Sequence, residues 1–296
     1  MTTISIKNLT KYYPHKKGAV KALDDISVEI SDNQIVGLLG QNGSGKTTFI
    51  KSCTNLISFD GNITLEENGK KRKLTHKDYS AVLEGNRNIY WKLTVLENIR
   101  FFAGLRGIKY SKIKNFASDL LKALYIYDKK DCLVETLSRG MQQKTALICT
   151  LVVDTPVVFL DEPTLGLDVE SKNQLKEFFS HGEFVKNKLI LATSHDLEFI
   201  RTIASKHLFI KSGKIHDIDM KNINNNIYKI TFDCSLTQNT EFAGVEFKSN
   251  CIYVNTEQIR LSTVLNYLEH ENVNITDILK MNNDVETIYL NFIKEK

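Results

Sequence analysis

Apolar and polar residues alternate over residues 3–7 and 26–30, the period of strands with one buried face, and Tyr12, Tyr13, Pro14 and Gly18 mark a loop between them. Residues 35–39 are apolar throughout, as in a buried strand, and residues 47–55 continue as a helix. Further strands are predicted over 61–65 and 79–83, after which the pattern becomes helical. Thr94 and Glu97 have capping-box spacing ahead of Ile99, Phe101 and Phe102, while Ser111 precedes a stripe through Ile113, Phe116, Leu120, Leu121 and Leu124. Helices therefore fill an insertion from about residue 86 to 153, whose last member starts at Ser138 and Gly140 and ends near Leu151. Apolar strands return at 157–160 and 189–193, and a hairpin at 208–215 closes a first domain spanning residues 1–220.

A polar stretch at 221–226 reads as a linker to a second domain, residues 221–296. Strands are predicted there at 227–232, 251–255 and 274–279, with one helix through Ile259, Leu261, Val264, Leu265 and Leu268 and another at 285–293. This is a small α+β unit, and nothing in its residues suggests a catalytic site.

Composition narrows the picture. The chain has 296 residues and 42% hydrophobic content, enough for two cores. It contains no apolar run of the ~18 residues needed to span a bilayer, and its first residues are too polar for a signal peptide, so a cytoplasmic location is expected. The net charge of +4 is too small to argue for nucleic acid, and Lys70, Lys71, Arg72 and Lys73 read as a solvated hairpin end. Cys53, Cys132, Cys149, Cys234 and Cys251 form no CxxC pair and receive no function.

The chemistry gathers at Gly40-Gln41-Asn42-Gly43-Ser44-Gly45-Lys46-Thr47-Thr48, which has P-loop spacing between a strand and a helix. Its glycines let backbone N–H groups turn toward phosphate oxygens, the helix start adds its positive end, and Lys46 can reach the β- and γ-phosphates. Thr47 is placed to ligate Mg²⁺, and the empty loop is expected to expose the Lys46 ammonium to solvent. An aromatic ahead of the loop offers a face for adenine, with Tyr13 preferred and Tyr12 next. The strand at 157–160 runs into Asp161 and Glu162, one acid suited to hold Mg²⁺ through water and the next to polarise a nucleophilic water. Ser194, His195 and Asp196 follow another strand at the same sheet edge, and Ser138 with Gly140 makes a second anion site at a helix start.

In this order the motifs resemble the ATP-binding subunits of ABC transporters over residues 1 to about 220. A Walker A loop (Gly40 to Thr48), a signature (Leu137 to Gln142), a Walker B strand with adjacent glutamate (Asp161, Glu162), a D-loop (Leu167, Asp168) and a switch histidine (His195) are all present. The resemblance implies an α/β fold: a P-loop ATPase core with an antiparallel β subdomain and a helical insertion. It also implies ATP and Mg²⁺ as cofactors, and a head-to-tail dimer, homomeric or heteromeric. In that dimer Ser138 and Gly140 of one subunit close over ATP held by Lys46 and Thr47 of the other. Glu162 becomes the general base and His195 the γ-phosphate sensor. An integral-membrane transporter subunit is the implied partner, with its coupling segments docking near residues 84–100; Ile89, Tyr90 and Trp91 fit that groove and fit core packing of the helical insertion equally well. The chain would then sit peripherally on the cytoplasmic face of the cell membrane.

Three departures stand out. Glu84 occupies the usual Q-loop glutamine position and adds a negative charge near Mg²⁺; the signature reads Leu137-Ser138-Arg139-Gly140-Met141, a form similar to exporter-type subunits with ABC-2 membrane partners; and residues 221–296 are an addition. Two other readings exist. A non-transport ABC ATPase or nucleotide-dependent regulatory protein would call for coiled coils or tandem P-loops, and a small-molecule kinase would leave the signature and His195 unexplained.

Overall fold

The computed structural model describes every residue except 1, 16–17, 32–33, 86–87, 181–182, 218–226, 234–241, 249, 257, 272 and 282–296. The chain divides into two compact units, Met1–Ile218 and Asp219–Lys296.

The first unit opens with a long hairpin, β1 (Thr2–His15) and β2 (Gly18–Ser31). The strands run through the stretch read as a loop, so Tyr12, Tyr13 and Pro14 are strand residues paired with Lys21, Val20 and Ala19. Register shifts between Ile6 and Leu9, Leu9 and Lys11, and Lys11 and Tyr12 break the alternation that would have marked the extension, and Asn8 (φ 54°) takes the left-handed backbone at the first of them. After β3 (Gln34–Leu39) and helix α1 (Lys46–Cys53), β4 (Asp60–Glu67) returns to pair with β1. The basic stretch is itself a strand, β5 (Lys70–Lys73), exposed along its length at the edge of the antiparallel sheet β2-β1-β4-β5.

β6 (Tyr79–Val82) leads into three helices, α2 (Val95–Leu105), α3 (Tyr110–Ala123) and α4 (Arg139–Leu151). The capping box at Thr94 and Glu97 forms in both directions. Ser111 caps nothing: Lys109 is the N-cap of α3, without a side-chain bond, and Ser111 lies inside the helix. The chain then alternates through β7 (Val157–Asp161), α5 (Val169–Ser180), β8 (Leu189–Ser194), α6 (Leu197–Ile203), β9 (Lys206–Lys211) and β10 (Lys214–Asp217). These build a six-stranded sheet in the order β10-β9-β3-β8-β7-β6, parallel except for β10.

One core joins the two sheets across α1: Ile4, Ile6 and Leu9 of β1, Phe49 and Ile50 of α1, and Phe159 and Leu191 of β7 and β8 belong to a single buried cluster. Burying a hydrophobic side chain of this size contributes about 1.5–3 kcal/mol. The same packing sets the carboxyl ends of β3, β7 and β8 side by side, which is where ligands sit in open α/β sheets.

The second unit is an antiparallel sheet, β12-β13-β11-β14, built from β11 (Ile227–Phe232), β12 (Val245–Lys248), β13 (Cys251–Asn255) and β14 (Ile275–Met281). Helix α7 (Leu261–His270) buries Val264 and Leu268 in a core with Ile230, Phe232, Ile252 and Val254. β12 has no counterpart in the sequence reading because four residues carry too little pattern. The expected linker at 221–226, the helix at 285–293 and Cys234 lie outside the described residues. Cys53, Cys132, Cys149 and Cys251 are free thiols, and burial pushes Cys53 and Cys149 upward, away from reactivity.

Candidate functional site

The glycine-rich loop leaves β3 at Gly40 and enters α1 at Lys46. Gly45, the N-cap, has φ 115°, and a Cβ there would lie 2.8 Å from the Ala22 carbonyl of β2, so both backbone and space exclude a side chain. The helix start carries no side-chain cap and no acidic residue in its first turn, which leaves its N–H groups for an anion. Gly40 lies beneath the loop, 2.6 Å from the Ile210 carbonyl at its Cβ position, and the Ser44 hydroxyl is buried there without a hydrogen-bond partner.

Lys46 does not face solvent. It is 6% exposed, and its Nζ donates to the carbonyls of Gly40 (2.8 Å) and Gln41 (3.3 Å) and lies 3.5 Å from Glu162 Oε1. An ammonium this buried has to be paired, and the loop's own carbonyls hold it in place.

β7 delivers Asp161 at its last position and Glu162 just beyond, in a left-handed backbone (φ 51°) that costs energy for a residue with a Cβ. Thr193 of β8 holds both. Its hydroxyl donates to Asp161 Oδ1 (2.6 Å), while its carbonyl and hydroxyl oxygens both lie 3.1 Å from the Glu162 N–H. Thr47 Oγ1 is 3.4 Å from Asp161 Oδ1 and 3.3 Å from Glu84 Oε2. Burial pushes the Asp161 carboxyl above its ordinary range against the hydrogen bonds from Thr193 and Thr47, and Glu84 and Glu162 push it the same way. Asp161 Oδ2 is buried with no partner.

That orphaned oxygen bears on Mg²⁺. Among the described residues no group of three or more His, Cys, Asp or Glu side chains could hold a metal alone. Mg²⁺, however, is commonly bound by one or two carboxylates together with substrate phosphates, and the all-oxygen set of Thr47, Asp161 and Glu84 fits such a hard cation.

His195 follows β8 and closes the group: its Nδ1 is 2.8 Å from Glu162 Oε2, and its backbone N–H donates to the same oxygen at 3.3 Å. The imidazole is half exposed, so one side of it meets the carboxylate while the other is open to a ligand.

These groups face a cleft of about 490 Å³ lined by Tyr13, Asn42, Gly43, Gly45, Lys46, Thr47, Thr48, Glu84, Glu162 and His195 together with Ala22, Gln41 and Leu165. Tyr13 is part of that wall, with Lys11 Nζ 5.3 Å from its ring centroid, whereas Tyr12 does not line the cleft. Thr193, which holds both acids, is absent from the sequence expectations; its signal is a buried polar position just after the apolar run at residues 189–192 of β8.

Ser138, Gly140 and Asp168 lie elsewhere in the chain and form their own cluster. Ser138 caps α4, its hydroxyl accepting from the Met141 N–H (3.3 Å). Asp168 caps the start of α5, accepting from Ser171 N (2.8 Å) and Ser171 Oγ (2.9 Å), and the bonds from Ser171 hold its carboxyl below the usual range. A Cβ on Gly140 would overlap the Ser171 hydroxyl, so the signature helix can approach α5 only with glycine there. Arg139 lies over Gly166, its Nη1 2.6 Å from the place a Cβ would occupy.

Comparison with known proteins identifies relatives in sequence and in fold. The ABC transporter family model matches residues 23–165. The chain is 31% identical over 215 residues to the ABC transporter ATP-binding protein NatA of Bacillus subtilis, a match covering 72% of this chain and 87% of that protein. It is 32% identical over 217 residues to the SkfA peptide export ATP-binding protein SkfE of the same organism, covering 73% and 88%. A dimeric bacterial ABC transporter cassette superposes with a TM-score of 0.60 over 72% of this chain and 96% of its own, at 22% identity, a likeness of fold. On the family model, the two relatives and the order of its loops and strands, the chain belongs to the family of ABC transporter ATP-binding proteins.

Proposed function

We propose that the chain is the ATP-hydrolysing motor subunit of an ABC exporter, coupling ATP-driven dimer closure to a separate integral-membrane subunit from the cytoplasmic face of the cell membrane. The observation that carries the reading is the meeting of Lys46, Thr47, Glu162 and His195 in one cleft with an unpartnered Asp161 oxygen beside it.

ATP enters with its adenine against Tyr13 and its phosphates over the N–H groups of residues 42–48. Lys46 exchanges its contacts with the Gly40 and Gln41 carbonyls for phosphate oxygens. Thr47, Asp161 and Glu84 would hold Mg²⁺, which when bound offsets charge on the phosphates. Glu162 orients and deprotonates the attacking water, with its carboxylate fixed by His195 and its backbone by Thr193. His195 senses the γ-phosphate from its open side. Ser138, Gly140 and Asp168 are outside the cleft lining, in keeping with a head-to-tail dimer in which they serve the nucleotide of a partner subunit. The export direction is supported by the likeness to the ATP-binding protein of a peptide exporter.

Phosphate release by the purified chain, with Mg²⁺ present or chelated, tests the enzyme. Capture of the tagged chain from detergent-solubilised membranes tests the motor. A multi-spanning partner is expected; ATPase activity without one would favour a non-transport ATPase.

A further inference from the structure

A second cleft, of about 240 Å³, opens beside the first and is lined by Glu84, Asp161, Glu162, Trp91, Arg139 and Leu165 among others. Three of these are carboxylates, and Arg139 is the one cationic side chain among the described residues of that lining. The other acids are accounted for: Glu162 has Lys46 at 3.5 Å and His195 at 2.8 Å, and Asp161 has Thr193 at 2.6 Å. Glu84 has only the Thr47 hydroxyl at 3.3 Å, and among the described residues neither Glu84 nor Arg139 has an ion-pair partner. The Arg139 guanidinium lies beside Gly166, where a Cβ would come within 2.6 Å of its Nη1.

We propose that Arg139 is the counter-charge of Glu84 within the same chain, a positioning residue that lets an extra carboxylate stand at the nucleotide site. The inference rests on the ATPase reading. Glu84 lines both clefts, so its charge acts on the phosphates from one side and on Arg139 from the other. Both side chains are exposed in the free chain, where water screens them. Nucleotide binding and closure remove that water, and the attraction strengthens. Without Arg139, Glu84 repels the anionic ligand.

The test is a double-mutant cycle on Arg139→Gln and Glu84→Gln, with Arg139→Lys as the charge-keeping variant. Turnover is read with saturating Mg²⁺ and ATP, and affinity for a fluorescent ATP analogue is read separately in EDTA. Arg139→Gln should lower turnover about 5-fold beside Glu84 but less than about 2-fold beside Glu84→Gln, a coupling typical of neighbouring charges. Analogue binding in EDTA should weaken about 3-fold only when Glu84 is present, and raising the salt should shrink both effects. Arg139→Lys should restore most of the loss. Equal losses in both backgrounds would overturn the pairing, and no loss in either would overturn it as well. An inactive wild-type chain would instead sink the ATPase reading and leave the EDTA cycle to decide the pair.

Discussion

At the scale of single residues, the site is a set of buried charges that compensate one another until ligand arrives. Lys46 holds two loop carbonyls and approaches Glu162, so removing it does more than delete a phosphate contact. Lys46→Ala should weaken ATP binding by roughly 10-fold or more, measured by equilibrium binding, because a charge-assisted contact is lost. It should also lower thermal stability, by leaving the Gly40 carbonyl unpaired in a buried place. Sequence spacing singled out Lys46 but gave its side chain the wrong surroundings: the bond to Gly40 is a property of the folded loop, to which linear spacing is blind. Thr193 was invisible for a related reason. A threonine in an apolar strand reads as a β-branched strand former, and only the adjacency of β7 and β8 brings its hydroxyl to Asp161.

At the scale of elements, the long buried strands and amphipathic helices were legible because each repeats one period over many residues. The hairpin β1–β2 was half legible, since its register shifts scramble the alternation just where Tyr12 and Tyr13 lie. The contact of α4 with α5 could not be read at all, although Gly140 marks it. Gly140→Ala should force Ser171 or the helix aside at a cost of about 1–3 kcal/mol, measured by denaturant unfolding, whether or not nucleotide is present. The edge strand β5 carries its own ion pair. Burial alone would raise the Asp78 carboxyl, yet the fork of Arg72 (2.5 and 2.7 Å) and the Thr75 N–H and hydroxyl outweigh it and hold the pKa at about 2, below the ordinary 3.8. A carboxylate with a depressed folded pKa adds stability above its unfolded value and loses it as pH falls through the folded one. Asp78→Asn should therefore cost about 1–2 kcal/mol near neutrality, and the deficit should close between about pH 4 and pH 2 in unfolding titrations.

At the scale of the whole molecule, one core binds the antiparallel sheet to the parallel one across α1, so the aromatic on β1, the loop at α1 and the acids on β7 share a single rigid base. Ligand chemistry needs that rigidity, because charge stabilisation depends on groups already in place. The signature residues at the start of α4 lie outside the lining of this chain's own cleft, so on the proposed head-to-tail dimer catalysis would be a property of two chains. The central claim is that Glu162 is the base that ends an ATP-closed state. The direct measurement follows Glu162→Gln beside the wild type, scoring phosphate release and ATP-induced dimerisation by light scattering. Turnover should fall about 10²- to 10⁴-fold, since shape is kept while the base, and with it the charge facing Lys46, is lost. ATP should remain bound and dimers should accumulate. Turnover at the wild-type rate, with no trapped dimer, would contradict the account.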